Sequence, residues 1–185
     1  MVSVYSAKEK NLSPSEFRTL YDIIIKAYAD TESEMWGPNY VRVSEKDFQN
    51  FIDNNQVLVA FMHEKIVGGL RYYRLDDHTF SFGLFGADLN LSGKGIGKKL
   101  IEAVENKAMQ SGVSIIRIEI LRPRNFEIPI KTKLHQWYQN LGYAFVGSES
   151  FEEKFPEKAK GILVPCMFDY YECQLKFQTV KDQSF

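Results

Sequence analysis

The sequence predicts an α/β (α+β) fold with a mixed, mostly antiparallel central sheet flanked by helices. Three observations carry that expectation. Strand-like runs at 57–62, 66–75 and 79–87 are separated by the turn residues His63-Glu64-Lys65 and Asp76-Asp77-His78, which reads as an antiparallel meander. A glycine-rich turn at 92–97 opens an amphipathic helix. Further helical patterns stand on both sides of the meander. At 185 residues the chain is expected to be one domain, 1–185, because either half alone would sit near the size at which a core becomes marginal.

In chain order, residues 2–5 form a short strand. Ser13-Pro14-Ser15-Glu16 then supplies a capping Ser, a Pro at the first helical position and a Glu at the capping-box position, so a helix starts there. Its apolar face, Phe17, Leu20, Tyr21, Ile24 and Tyr28, predicts an end near Ala29. Residues 30–40, with Gly37-Pro38, are expected to be an acidic, aromatic loop. Ser44 caps a second, short helix bearing Phe48, Phe51 and Ile52, closed by Asp53-Asn54-Asn55. After the meander, Gly86 marks a place that tolerates a bulge or a close backbone approach.

From about Gly95 to Gly112 a helix carries Ile96, Leu100, Ile101, Val104 and Ala108 on one face, and the β-branched run 115–121 reads as a buried strand. An irregular stretch at 122–130 with two prolines leads to a helix at 131–141, where Leu134, Trp137, Tyr138 and Leu141 share a face. Strands are expected at 143–146 and about 164–177, and a frayed end at about 178–185.

Composition removes several function classes. Lys+Arg 23 against Asp+Glu 24 gives a net charge of −1, so there is no general field to hold a polyanion and nucleic acid is not an expected partner. No apolar run approaches the ~18 residues of a membrane span, and the N-terminus lacks the basic-then-apolar order of a secretory signal, so the expected location is cytoplasmic with no membrane partner. Cys166 and Cys173 fall in one strand and cannot build a disulfide framework. The three histidines are scattered and none pairs with a cysteine at ligand spacing, so no metal site is expected.

The informative segment is Ser92-Gly93-Lys94-Gly95-Ile96-Gly97-Lys98, between a strand and a helix. Glycines let backbone approach a ligand, and the amides of a helix's first turn have no partner within the helix, so they point outward as anion donors. A diphosphate is the natural guest. Lys94, Lys98 and Lys99 add positive charge there, although lysines on a surface helix are equally read as solvated residues. Two other phosphate motifs fail: Gly97-Lys98 is followed by Lys99 rather than Ser or Thr, and Lys98 stands where a dinucleotide fingerprint needs its third glycine.

With its context, this segment resembles the GNAT N-acetyltransferase superfamily. The resemblance covers about 57–146 and rests on the meander, the glycine turn, the helix, the β-branched strand and then Trp137-Tyr138-Gln139-Asn140-Leu141-Gly142-Tyr143. The family's Arg/Gln-x-x-Gly-x-Gly/Ala signature aligns with Gly95 and Gly97 and places Ser92 where Arg or Gln is usual. Because such a cradle is built chiefly from backbone amides, Ser92 weakens one phosphate contact without abolishing the site, and its hydroxyl can still donate.

The resemblance implies acetyl-CoA as cofactor. Residues 93–98 would hold its diphosphate, with Ser92, Gly93, Lys94, Gly95, Ile96, Gly97 and Lys98 as binding residues. Its pantetheine arm would lie between two splayed strands, with Phe85 and Ala87 offering backbone groups and the Gly86 region supplying a bulge whose amide polarises the thioester carbonyl. The late motif places Tyr138 at the family's general acid. Amine attack expels a thiolate whose conjugate acid has a pKa of about 8.5, which a phenol can protonate. Periodicity alone favours a core tyrosine at Tyr138.

An alkylamine arrives mostly protonated, so a base is needed. The family often places a Glu on the strand before the glycine loop. Here Thr79-Phe80-Ser81-Phe82-Gly83 carries none, and the candidates become Glu34 or Glu32 near the first helices, Glu119 on the later strand, or a water chain. Asp30, Glu32 and Glu34 with Trp36 and Tyr40 would border the acceptor side and draw an ammonium group, or be a solvated loop. The expected activity is direct acetyl transfer from acetyl-CoA to a primary amine of a small molecule or peptide. The alternative, a non-catalytic acyl-CoA-binding module, is motivated by Ser92 and the missing carboxylate. Acceptor identity and oligomeric state stay open, since a late strand could pair across chains.

Overall fold

The computed structural model describes residues 1–176; the expected frayed end at 178–185 lies outside the described residues. Seven strands form one sheet: β1 (Val2–Ser6), β2 (Val57–Met62), β3 (Lys65–Arg74), β4 (Thr79–Ala87), β5 (Ile115–Pro123), β6 (Ala144–Ser150) and β7 (Cys166–Gln174). Their order is β1-β2-β3-β4-β5-β7-β6. Every neighbouring pair is antiparallel except β4 and β5. The helices are α1 (Ala7–Lys10), α2 (Pro14–Trp36), α3 (Glu45–Asp53), α4 (Ile96–Gln110), α5 (Pro129–Asn140), α6 (Phe151–Lys154) and α7 (Pro156–Ala159).

Among the described residues, one of the three apolar clusters gathers Met35, Leu121, Phe151 and Phe168, and the other two cover the two faces. On one, Ile96, Leu100, Ile101, Val104 and Ala108 of α4 pack with Tyr138 and Tyr143 against Leu58, Phe80, Phe82, Ile116, Ile118 and Ile120. On the other, Leu20, Tyr21 and Ile24 of α2 and Phe48 and Ile52 of α3 meet Val57, Val59, Phe61 and Leu84. Each large side chain buried in this way contributes roughly 1.5–3 kcal/mol. Ser13 and Glu16 form the expected capping box at the start of α2.

The first helix is longer than its apolar spacing indicates. α2 continues to Trp36, so most of the expected loop at 30–40 is helical, and Gly37 at φ +88° ends it. The buried face runs on through Glu32 and Met35, but position 32 is charged and interrupts the apolar pattern. The short turns α6 and α7, which no periodicity marked, put Phe151 and Phe155 over Phe168.

Two features of β4 shape the site. It pairs with β5 only at Thr79–Ile115, Phe80–Ile116 and Ser81–Arg117, after which the two parallel strands part. Along its other edge the register to β3 slips, with Gly69 opposite Gly86 but Arg71 opposite Gly83. The extra residue is a bulge in which Leu84 adopts φ +46°. The bulge therefore lies at Leu84, two residues before the expected Gly86 region. It reverses the alternation of the strand: Phe80 and Phe82 face α4, Leu84 joins the α2 core, and Phe85 and Ala87 return to the α4 side. Gly86 serves close approach instead, since a Cβ there would stand 2.9 Å from Cα of Ile24 in α2.

Candidate active site

The glycine-rich segment stands at the N-terminus of α4. A single 3-10 turn (Leu89–Leu91) leads into it, and Gly93 and Gly95 adopt φ +79° and +77°, conformations that side chains with a Cβ resist. The first helical hydrogen bond runs from Lys99 N–H to the Gly95 carbonyl at 3.0 Å. The amides of Ile96, Gly97 and Lys98 precede it and have no partner within the helix. Lys99 is tied to Glu102 at 2.7 Å, whereas among the described residues Lys94 and Lys98 enter no ion pair. Ser92 is exposed at the end of the 3-10 turn.

Beyond Ser81, the β5-facing edge of β4 has no strand partner. Asp88 N–H donates to the Val67 carbonyl at 2.9 Å on the β3 side, so by strand alternation the backbone groups of Phe85 and Ala87 face the gap. Phe85 N–H donates to Tyr28 Oη at 3.3 Å. An oxygen acceptor is thus already seated on the amide that follows the bulge.

A cavity of about 550 Å³ runs through this gap from one face of the sheet to the other. Phe85, Ala87, Leu134, Trp137 and Tyr138 line its α4 and α5 side, and Tyr28, Glu32 and Arg42 its α2 side. Gly97 packs against two of these lining rings: its Cβ position lies 3.0 Å from Phe85 and 3.1 Å from Trp137, whose rings stack at 5.9 Å. Tyr138 is 4% exposed, with its ring against Phe82, Trp137 and Tyr143. Burial, with a smaller contribution from Tyr28, pushes its phenol well above the usual tyrosine range. The hydroxyl therefore stays protonated and is a proton donor, not a base.

The carboxylates separate by position. Glu34, one of the candidate bases, is exposed and borders none of the three cavities described for this site, because on a helix that continues to Trp36 it points about 200° away from Glu32. Asp30 borders the cavity but is paired with Lys26 at 3.1 Å. Glu32 is 3% exposed and accepts from Lys131 Nζ at 2.8 Å, while its Oε2 has no partner among the described residues. This buried pair joins α2 to α5, helices on opposite faces, and can form only because β4 and β5 part between them. Glu119 lies where the first cavity meets a second, of about 780 Å³, on the α2 side. Its side chain is 28% exposed and stands 3.8 Å from Lys154 Nζ.

Sequence reasoning missed Tyr28, Arg42 and Lys131 as cavity residues. Lys131 carried a readable signal, a charge in step with the apolar face of Leu134 and Tyr138. Arg122, Arg124 and Asn125 border a separate cavity of about 410 Å³. Cys166 is buried, its thiol pushed up to about 12 by burial and by Glu152, so it is a poor nucleophile.

Among the described residues there is no cluster of His, Cys, Asp or Glu that could hold a metal, and no helix is long and apolar enough to cross a membrane. Compared with known proteins, residues 18–143 match the model of the acetyltransferase (GNAT) family. No curated protein matches the chain. Among solved structures, a putative acetyltransferase from Salmonella typhimurium with its cofactor acetyl-CoA is 14% identical, with TM-score 0.65 and 98% of each chain covered. The ribosomal-protein-S18-alanine N-acetyltransferase of Escherichia coli is 15% identical, with TM-score 0.62 and 98% of each chain covered. A polyamine N-acetyltransferase of Drosophila melanogaster is 12% identical, with TM-score 0.67, covering 95% of this chain and all of that one (100%).

Proposed function

Since the chain belongs to the acetyltransferase (GNAT) family, we propose that it transfers acetyl from acetyl-CoA to an amine through the cavity between β4 and β5, within a single domain. The observation that carries this reading is the cavity itself, which passes beside Tyr138 and links the α4 face to the α2 face. The residues fit the cofactor: unpartnered amides at the start of α4 suit a diphosphate, and the open edge of β4 suits an amide-bearing arm. When bound, acetyl-CoA supplies an activated acyl carbonyl and a thiolate leaving group.

In this reading Ile96, Gly97 and Lys98 donate backbone N–H groups to the diphosphate, with Gly93, Gly95 and Ser92 shaping the turn and Lys94 adding charge. Phe85 and Ala87 offer the free backbone groups of β4 to the arm. Phe85 N–H, which now donates to Tyr28 Oη, is the oxyanion donor. Tyr138 Oη delivers the proton to sulfur, and Glu119, at the junction of the two cavities, takes the proton from the attacking amine, directly or through water. No covalent enzyme intermediate is required. A cytoplasmic setting fits the two free thiols, Cys166 and Cys173.

The test is release of free thiol when the protein is incubated with acetyl-CoA and a panel of primary amines, alongside calorimetric titration with CoA. Thiol release that depends on both protein and amine is the expected result. CoA binding without thiol release for any amine, including at high pH, would instead establish the acyl-CoA-binding module, the reading that Ser92 and the carboxylate-free β4 favour.

A further inference from the structure

The chamber on the α2 side is built for more than an ammonium group. Its walls combine aromatic rings, among them Trp36, Tyr40, Phe51, Tyr73 and Phe155, with charged side chains. Set among these rings are two guanidinium groups, Arg42 and Arg71. Arg71 lies 3.6 Å from the ring centroid of Phe51 and 4.7 Å from that of Tyr73, and its Nε donates to Gln56 at 3.0 Å. Arg42 lies 5.2 Å from the Tyr28 ring and makes one long hydrogen bond, 3.4 Å, to Tyr40. Among the described residues neither forms an ion pair with a carboxylate. Burial by itself would weaken Arg42's charge, but Glu32, Tyr28 and Tyr40 outweigh it and hold the guanidinium firmly protonated.

The carboxylates on the same walls are differently disposed. Glu157 is paired with Lys160 at 2.6 Å, and Asp47 accepts from Ser44 at the start of α3. Glu119 is the carboxylate at the seam with the first cavity, and Arg42 lines that seam too. Each guanidinium carries five N–H donors, most of them without a partner among the described residues, in a planar fork that suits a carboxylate edge-on. The buried Trp36 indole N–H adds another donor without a partner among the described residues. Such a chamber offers half-buried guanidinium donors that an entering anion can satisfy.

We propose, resting on the acetyltransferase reading, that the acceptor is an amino carboxylate with a large apolar or aromatic body. Its amine meets Glu119 at the seam, its carboxylate is held by Arg42 with Arg71 behind it, and its body fills the aromatic chamber. A di- or polycationic amine is disfavoured, because the same guanidiniums repel it and the acidic residues beside the entrance are already paired.

The experiment compares matched acceptors: L-phenylalanine and L-tryptophan, their decarboxylated counterparts phenethylamine and tryptamine, and agmatine. Two readouts are used, acetyl transfer by thiol release and direct calorimetric binding of each compound to the protein saturated with CoA. We expect the amino acids to exceed their decarboxylated counterparts by about 30-fold or more in kcat/KM and to bind measurably tighter, with agmatine weakest. In Arg42→Lys and Arg71→Gln, checked for an unchanged melting transition, the ratio of acid to decarboxylated amine should collapse towards unity through KM rather than kcat. Equal or better use of phenethylamine or agmatine, or variants that lower both acceptors alike, would overturn the proposal. Absence of thiol release from every amine would defeat the acetyltransferase reading instead, while the binding arm still reports whether the chamber selects a carboxylate.

Discussion

Tyr138→Phe lowers kcat by roughly 100-fold or more while the affinity for CoA stays within about twofold. The substitution keeps the ring, so the contacts with Phe82, Trp137 and Tyr143 persist and the hydrophobic core around α4 is undisturbed. What it removes is one hydroxyl at the wall of the cavity. Burial holds that phenol protonated, and the same apolar surroundings raise the proton affinity of a thiolate released beside it, so transfer remains feasible although the phenol is a weaker acid than in water. Because the tyrosine does not ionise in the ordinary range, wild-type activity should show no fall attributable to Tyr138 below about pH 10. Steady-state kinetics and CoA titration on the variant check both statements; full activity would remove Tyr138 from the mechanism.

Gly97→Val acts on the other half of the reaction and should raise the Kd for CoA by about 10- to 100-fold, the cost of losing one or two charge-assisted hydrogen bonds. A side chain at this position begins 3.0 Å from Phe85 and 3.1 Å from Trp137. Either the stacked rings move into the cavity or the start of α4 tilts away, and in both cases the amides of Ile96, Gly97 and Lys98 lose their relation to the cavity mouth. The contacts at risk are side chains at the rim, so the melting temperature of the unliganded protein should fall by only a few degrees. Calorimetry with CoA measures the effect, and an unchanged Kd would show that the glycine turn does not hold the diphosphate.

Much of this arrangement was legible in the sequence because it is local. The capping box of α2 and the helix that begins after Gly95 follow from residues within a turn of one another. The rest depends on contacts between distant segments. α2 outran its apolar pattern because Glu32 occupies a buried position, made tolerable by Lys131 ninety-nine residues later. That partnership is invisible until β4 and β5 are seen to part. The bulge settled on Leu84, not near the flexible Gly86, because Gly86 is needed where Ile24 presses against the strand. Glu34 was one candidate base when read as part of a loop; the helix that continues past it leaves it exposed.

The most direct test of the central claim is a crystal structure with CoA bound. The account predicts the diphosphate on the amides of Ile96, Gly97 and Lys98, the arm between β4 and β5, and the sulfur within about 3.5 Å of Tyr138 Oη. CoA bound elsewhere on the protein, or an arm that leaves the gap empty with its sulfur far from Tyr138, would contradict it.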